Sequence, residues 1–205
     1  MDAVFTGVLD IYYAEQTAAD TTTTAATYDT PKILGETIEV KLTANYAESK
    51  LDASNKRIKQ GKKLMTYGVS LNTANIAPDV IAELMGRTED TNGVQTVGTD
   101  QVAPTVAIGF AVTYDDGGKE LWWLPKVNFA ELNKEAKTES ADGIEYHTPT
   151  IEGTALPLKN DGTLAKIIDS NNDSASSTVI AGWFSAVYLG PTTPPEPEPG
   201  EGQGG

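Results

Sequence analysis

A chain of 205 residues is long enough for one well-buried domain, and fifteen Lys and Arg against twenty-nine Asp and Glu leave a formal net charge of -14. That balance argues against tight binding to a phosphate backbone, because such binding draws on counterion release by cationic side chains. The absence of cysteine excludes disulfide scaffolding, thiol catalysis and cysteine-based zinc sites.

Met1–Gln16 has neither a basic leader region nor a long apolar run, and no stretch reaches the length of a membrane span, so a soluble, non-secreted product is expected. Val4–Tyr13 is a first strand with imperfect alternation. Thr17–Thr30, rich in Thr, Ala and Asp, reads as an exposed, mobile loop. Thr37–Tyr46 alternates strictly, with Ile38, Val40, Leu42, Ala44 and Tyr46 on one face and Thr37, Glu39, Lys41, Thr43 and Asn45 on the other. Ser49–Lys63 then reads as a long basic loop carrying Lys50, Lys56, Arg57, Lys59, Lys62 and Lys63 against Asp52, a cationic island in an acidic chain. Leu64–Asn72 alternates again as a second strand. Ala77-Pro78-Asp79 starts a helix with proline in its first turn and an acid against the dipole; Val80, Ile81, Leu84 and Met85 form its apolar stripe and Gly86 stops it.

Arg87–Pro104 is polar, with a turn at Asn92-Gly93. Thr105–Tyr114 alternates well, and Asp116-Gly117-Gly118 turns it into Lys119–Phe129, the clearest hairpin of the sequence. Pro125 requires the second of these strands to be an edge or to carry a bulge. Leu132–Asp142 is charged and ends in a turn at Asp142-Gly143. Ile144–Leu158 reads as a strand limited by Pro149 and Pro157, Thr163–Asp169 as a short helix, and Asp169–Ser177 as a polar loop. Thr178–Leu189 reads as a strand apolar on both sides and covered on both faces. The expected organisation is one domain over 1–190 and a disordered Pro/Glu/Gly-rich tail over 191–205. The fold class is mainly β, a β-sandwich or flattened barrel of about seven strands with one or two short flanking helices.

Catalytic constellations are missing from the pattern. His147, the only histidine, has no nucleophile elbow and reads as a histidine on a strand. Gly61-Lys62 fails as a phosphate loop, because Lys56 and Lys63 occupy the positions of the partner glycine and the hydroxyl residue. Asp169–Asp173 begins like a calcium loop, yet Ser174 stands where glycine is needed and Ile180 where the closing glutamate belongs, so a polar turn is the better reading. Trp122 and Trp123 point to opposite faces of one strand; at most one lies in the core, and the other suits an interface or a sugar platform. No catalytic residue, metal site or cofactor is expected.

The run Pro31-Lys32-Ile33-Leu34-Gly35, the alternating strand, the long polar connection, the second strand and then Ile76-Ala77-Pro78-Asp79-Val80-Ile81-Ala82-Glu83-Leu84-Met85-Gly86 resemble the major tail tube protein of long-tailed, non-contractile bacteriophages. The resemblance covers most of residues 1–190 and rests on element order and the helix motif. It implies a virion structural protein, assembled in the host cytoplasm. Its inner sheet would join those of five further copies into a hexameric ring, and the rings would stack into a hollow tube. The partners it implies are other copies of the chain, a tape-measure protein and tail terminator and distal tail proteins, with DNA passing through without specific binding and no membrane contact. On this reading the basic loop makes inter-subunit contacts. Glu39, Lys41, Ser70 and Asn72 share a lumen-facing surface with Glu39 compensating Lys41, while Ile38, Val40, Val69 and Leu71 face the core. The competing reading is a β-sandwich carbohydrate- or cell-surface-binding module that uses Trp122 or Trp123.

Overall fold

The computed structural model describes residues 3–53, 56–132 and 148–191. The strands are β1 (Phe5–Val8), β2 (Ile11–Ala18), β3 (Thr27–Tyr28), β4 (Lys32–Gly35), β5 (Thr37–Ala53), β6 (Lys56–Thr73), β7 (Thr88–Glu89), β8 (Gln95–Thr96), β9 (Thr105–Tyr114), β10 (Lys119–Phe129), β11 (Thr150–Ala155) and β12 (Lys166–Asp169). The helices are α1 (Pro78–Met85) and α2 (Ser177–Ala181). The protein is mainly β, as its alternating patterns require. Among the described residues, ten strands make one large antiparallel sheet, while β7 and β8 form a separate small hairpin.

Several short strands share one position in the sheet. β1 and β2 lie end to end along β9, β3 and β4 along β2, and β12 and β11 along β10. The sheet therefore crosses seven positions, in the order β3-β2-β9-β10-β11-β6-β5. It curls until β1 lies beside β5 without pairing to it, the shape of a flattened barrel left open along one seam. The β9–β10 hairpin has the boundaries its pattern predicts, and Gly117 adopts the left-handed conformation (φ 87°) that the turn demands. Pro125 falls in a register shift between Leu124 and Val127, so the missing amide donor sits in a bulge.

Two apolar clusters lie on opposite faces. One gathers Ile11, Leu34, Leu71, Leu84, Ile108, Leu124 and Ile151 inside the curl, with Val40, Leu42 and Trp122 packed at its margin. Helix α1 seats Leu84 and Met85 in this cluster. It starts on Pro78 and ends at Gly86 in the left-handed region (φ 66°), where the glycine amide hydrogen-bonds to the Glu83 carbonyl. The other cluster surrounds the fully buried Trp123 with Ala107, Ala111, Leu121 and Trp183. Residues 177–190 cover it.

Four expectations are corrected. Val4–Tyr13 is one strand position broken at Leu9-Asp10, although the Leu9 amide still reaches the Ala111 carbonyl. Thr17–Thr30 is not a wholly exposed loop: Ala18 ends β2, Thr27 and Tyr28 form β3, and Asp20 and Ala26 are buried. Residues 166–169 are a strand rather than a helix, because the edge of β10 from Glu120 to Trp123 offers them backbone partners. Thr178–Leu189 is not a strand; it begins in α2, capped by the Ser176 hydroxyl, and continues as turns that lay Trp183 and Phe184 over the second cluster. His147, the charged run up to the Asp142-Gly143 turn beyond Leu132, the start of the Ile144–Leu158 segment and the tail from residue 192 lie outside the described residues.

Candidate assembly surfaces

Three surfaces stand out. The first replaces the expected basic loop. Residues 49–53 and 56–63 are not a loop: β5 and β6 stay paired past the sheet, from Tyr46↔Leu64 to Ala53↔Lys56. β11 leaves β6 at Tyr67, so beyond that point the two strands pair only with each other. The sequence signal failed here because a ribbon wet on both faces has no reason to alternate apolar with polar. The projecting arm from Ala47 to Ala53 is about 20 Å long at the rise of an extended strand.

Along the arm, Glu48 stands directly across from Lys62 and pairs with it at 3.0 Å, and with Lys50 at 3.4 Å. The Lys62 ammonium, then Lys50, holds the Glu48 carboxyl below its usual range. Lys63, opposite Ala47, faces the other side of the ribbon and is exposed. Lys56, Arg57 and Lys59 belong to the ladder by their backbone, and their side chains lie outside the described ones. Two bulges interrupt the pairing, at Met65 and Ile58, and both residues are exposed, as is Tyr46.

The second surface is the polar face of β5, β6 and β11. Register places Glu39, Asn72 and Thr150 in one row and Lys41, Ser70 and Glu152 in the next. A third row runs Thr43, Gly68, Thr154, Asn128 and Thr105. Glu39, Lys41, Ser70 and Asn72 thus share one face, with Val40, Leu71 and Val69 on the other. Neutral groups hydrogen-bond along the rows: Asn72 Nδ2 to Thr150 Oγ1 at 2.8 Å, and Thr105 Oγ1 to Asn128 Oδ1 at 3.0 Å. Glu39 and Lys41 do not form an ion pair among the described residues; the acid aligned with Lys41, across Ser70, is Glu152. Ile38 departs from its expected core position because it is the extra residue of a bulge between Thr37 and Glu39, and it is exposed.

The third surface is the open seam of the barrel, an apolar groove of about 510 Å³ bordered by β1, β5, β9 and β10. Phe5, Ile38, Phe110 and Trp122 line it, and Glu120 brings a carboxylate to it. Trp122 is held half-buried there, stacked on Phe110 at 5.7 Å, with its indole N–H donating to Glu120 at 2.6 Å. Glu120 also accepts from Tyr114, whose hydroxyl is pushed up to about 12 by desolvation and by the neighbouring Glu120 charge. Trp123 offers nothing to solvent, and its indole N–H donates to the Trp183 carbonyl. No signal in the sequence announces this groove, since β1 and β5 are brought together only by the curl of the sheet.

The Asp169–Asp173 turn is built from local side-chain bonds: Asp169 accepts from the Asn171 amide and Asn172 from the Ser174 amide. No cluster of metal-ligating side chains occurs among the described residues, and no helix among them is long and apolar enough to cross a membrane. No family model matches the sequence, and no curated protein matches it.

Proposed function

We propose that the chain is a structural subunit that assembles with copies of itself into stacked rings forming a hollow tube, similar to phage tail tube subunits. The projecting β5–β6 arm carries this reading. A two-stranded ribbon alone in water is marginally stable, and this one extends free of the sheet with Tyr46, Ile58 and Met65 exposed. A subunit that assembles has a use for such an arm, because a neighbouring copy covers it; a solitary protein would blunt or shorten it.

Two further features support the tube. The face carrying Glu39, Lys41, Ser70 and Asn72 is mainly neutral and hydrogen-bonded, and the chain as a whole is strongly acidic, which suits a wall past which DNA slides without binding. Ring closure also removes the open edge of β5 by pairing it or covering it. Tape-measure, terminator and distal tail proteins are the further partners of this reading, and the virion is its location. A sugar-binding module would need an exposed indole platform, whereas Trp123 is buried and Trp122 is stacked on Phe110.

Concentrated purified protein is the test. Sedimentation and negative-stain microscopy should show rings or tubes that grow with concentration. A protein that stays monomeric at every concentration and salt condition overturns the reading.

A further inference from the structure

We infer that Asn92 is a site of spontaneous deamidation, at which the Gly93 amide nitrogen closes a succinimide ring on the Asn92 side chain and water opens it to aspartate and isoaspartate. The reaction needs no partner and no enzyme.

Sequence and geometry together select this step. Asn92 is the only asparagine of the chain that glycine follows, so no Cβ hinders the attacking nitrogen. It lies in the exposed turn between β7 and β8, where Gly93 has φ 78° and open space beside its Cα. Nitrogen and side-chain carbonyl belong to adjacent residues, so ring closure is intramolecular and draws on proximity. Two aspartate–glycine steps among the described residues, Asp116-Gly117 and Asp161-Gly162, share the left-handed glycine but not the reactivity. Asp116 accepts from the Gly118 amide and from Asn171 Nδ2, both at 2.8 Å, and Asp161 accepts from the Thr163 amide at 2.9 Å. A carboxylate so held is a poor electrophile, whereas the neutral carboxamide of Asn92 can release ammonia.

The Gly93 nitrogen loses its proton to solvent, forms a bond to Asn92 Cγ, and ammonia leaves. Water then breaks either imide C–N bond, giving aspartate or isoaspartate. In the folded turn the Gly93 N–H donates to the Asp90 carbonyl at 3.0 Å and must first let go. That opening is local, because β7 and β8 pair only as Thr88↔Thr96 and Glu89↔Gln95.

The product unsettles the turn. The Asp90 carboxylate accepts from the Val94 amide at 2.9 Å and the Asn92 amide at 2.8 Å, and these bonds hold it below its ordinary value. A new carboxylate two residues away repels that charge, and isoaspartate also lengthens the backbone by a methylene. The hairpin in turn braces helix α1, since Gln95 donates to the Pro78 carbonyl at 3.1 Å and accepts from Arg87 at 3.4 Å. Deamidation therefore loosens the brace at the start of α1.

Purified native protein, the Asn92→Gln variant and urea-denatured native protein are incubated at mildly acidic and mildly alkaline pH. Peptide mapping by mass spectrometry, with isoaspartate detected by methyltransferase labelling, follows each asparagine. The folded native protein is expected to convert at Asn92, faster at alkaline pH and with isoaspartate among the products, while Asn92→Gln shows no conversion in that peptide. Limited proteolysis within residues 87–104 should then be faster for aged native protein than for the aged variant. Conversion confined to the denatured sample, or equally fast at Asn171 or Asn172, overturns the assignment of the site. Conversion with unchanged cleavage overturns the loosening of the brace.

Discussion

Asp20 and Lys126 stand 106 residues apart in the sequence and meet at 2.6 Å, with the Asp20 side chain wholly buried and that of Lys126 13% exposed. The second carboxylate oxygen of Asp20 accepts from the Lys159 amide, and Tyr28 donates to the Pro125 carbonyl at 2.6 Å. The bulge at Pro125-Lys126 is therefore held by the connection between β2 and β3. Removing one member of a buried, hydrogen-bonded ion pair strands the other charge, so Asp20→Ala should cost about 3–5 kcal/mol. Chemical denaturation should show the loss at unchanged slope.

The same pair sets an acid limit. Burial would raise the Asp20 carboxyl, but the hydrogen bonds from Lys126 and the Lys159 amide outweigh it and hold the group below the ordinary carboxylate value. A depressed folded-state value means the stabilisation is complete above the unfolded-state value, near pH 4, and is lost as pH falls through the folded one. Melting temperatures of the native protein and Asp20→Asn should therefore converge as pH falls from 6 toward 2. A constant difference would show that the charge of Asp20 contributes nothing.

On the arm, Lys50, Lys62 and Lys63 are exposed and sit on a ribbon that no core depends on. Reversing all three to Glu should leave near-native circular dichroism and thermal stability but strongly impair assembly by sedimentation. Raising salt should weaken assembly of the native protein in the same direction. Equal assembly of native and reversed proteins at low and high salt would remove the arm's charge from the mechanism.

The two faces of β5 and β6 respond differently to charge. Lys41→Glu, on the exposed polar face, should change stability by less than about 0.5 kcal/mol and leave assembly intact. Val40 is only half-buried, so Val40→Asp should cost about 1–3 kcal/mol. Leu71, its cross-strand partner, has no exposed surface, and Leu71→Asp should prevent folding. Urea titration of the three proteins checks the order.

Gly109 lies directly opposite Trp123 across β9 and β10, and a Cβ there would meet the indole ring at 2.8 Å. The Trp123 ring fills the space that a side chain at 109 would need. Gly109→Ala should cost about 1–3 kcal/mol through overpacking and shift the tryptophan fluorescence.

How far the sequence spoke depended on where each segment's partners lay. The β9–β10 hairpin was legible to the residue because its strands are adjacent in sequence and its turn is written in Asp116-Gly117-Gly118. Helix α1 was legible because Pro78, Asp79 and Gly86 mark its ends locally. Ile167 and Ile168 misled because their strand exists only through the distant edge of β10 at Leu121 and Trp122. Trp183 and Phe184 misled in the opposite sense: their apolar character serves to cover Trp123 and Tyr12 from outside the sheet. The polar rows through Ser70 and Asn72 followed from alternation alone, whereas the groove beside Trp122 required the curl of the whole sheet.

The end-to-end placement of β1 and β2 along β9 has a consequence for synthesis. β2 finds β3 and β4 soon after it is made, but on its other side Tyr12 pairs with Gly109 and Ile11 packs in a core whose other members come largely from later segments, so that side of β2, like β1, emerges from the ribosome long before its partner β9 exists. The β5–β6 hairpin, by contrast, closes on itself as soon as Thr73 is made, and it is densely charged along its outer half. Local pairing is therefore complete for β5–β6 early, whereas the sheet around β2 stays one-sided, with Ile11 and Tyr13 not yet covered, until β9 arrives. Slowing translation between Thr73 and Tyr114 lengthens that wait, and chaperone demand should rise with it.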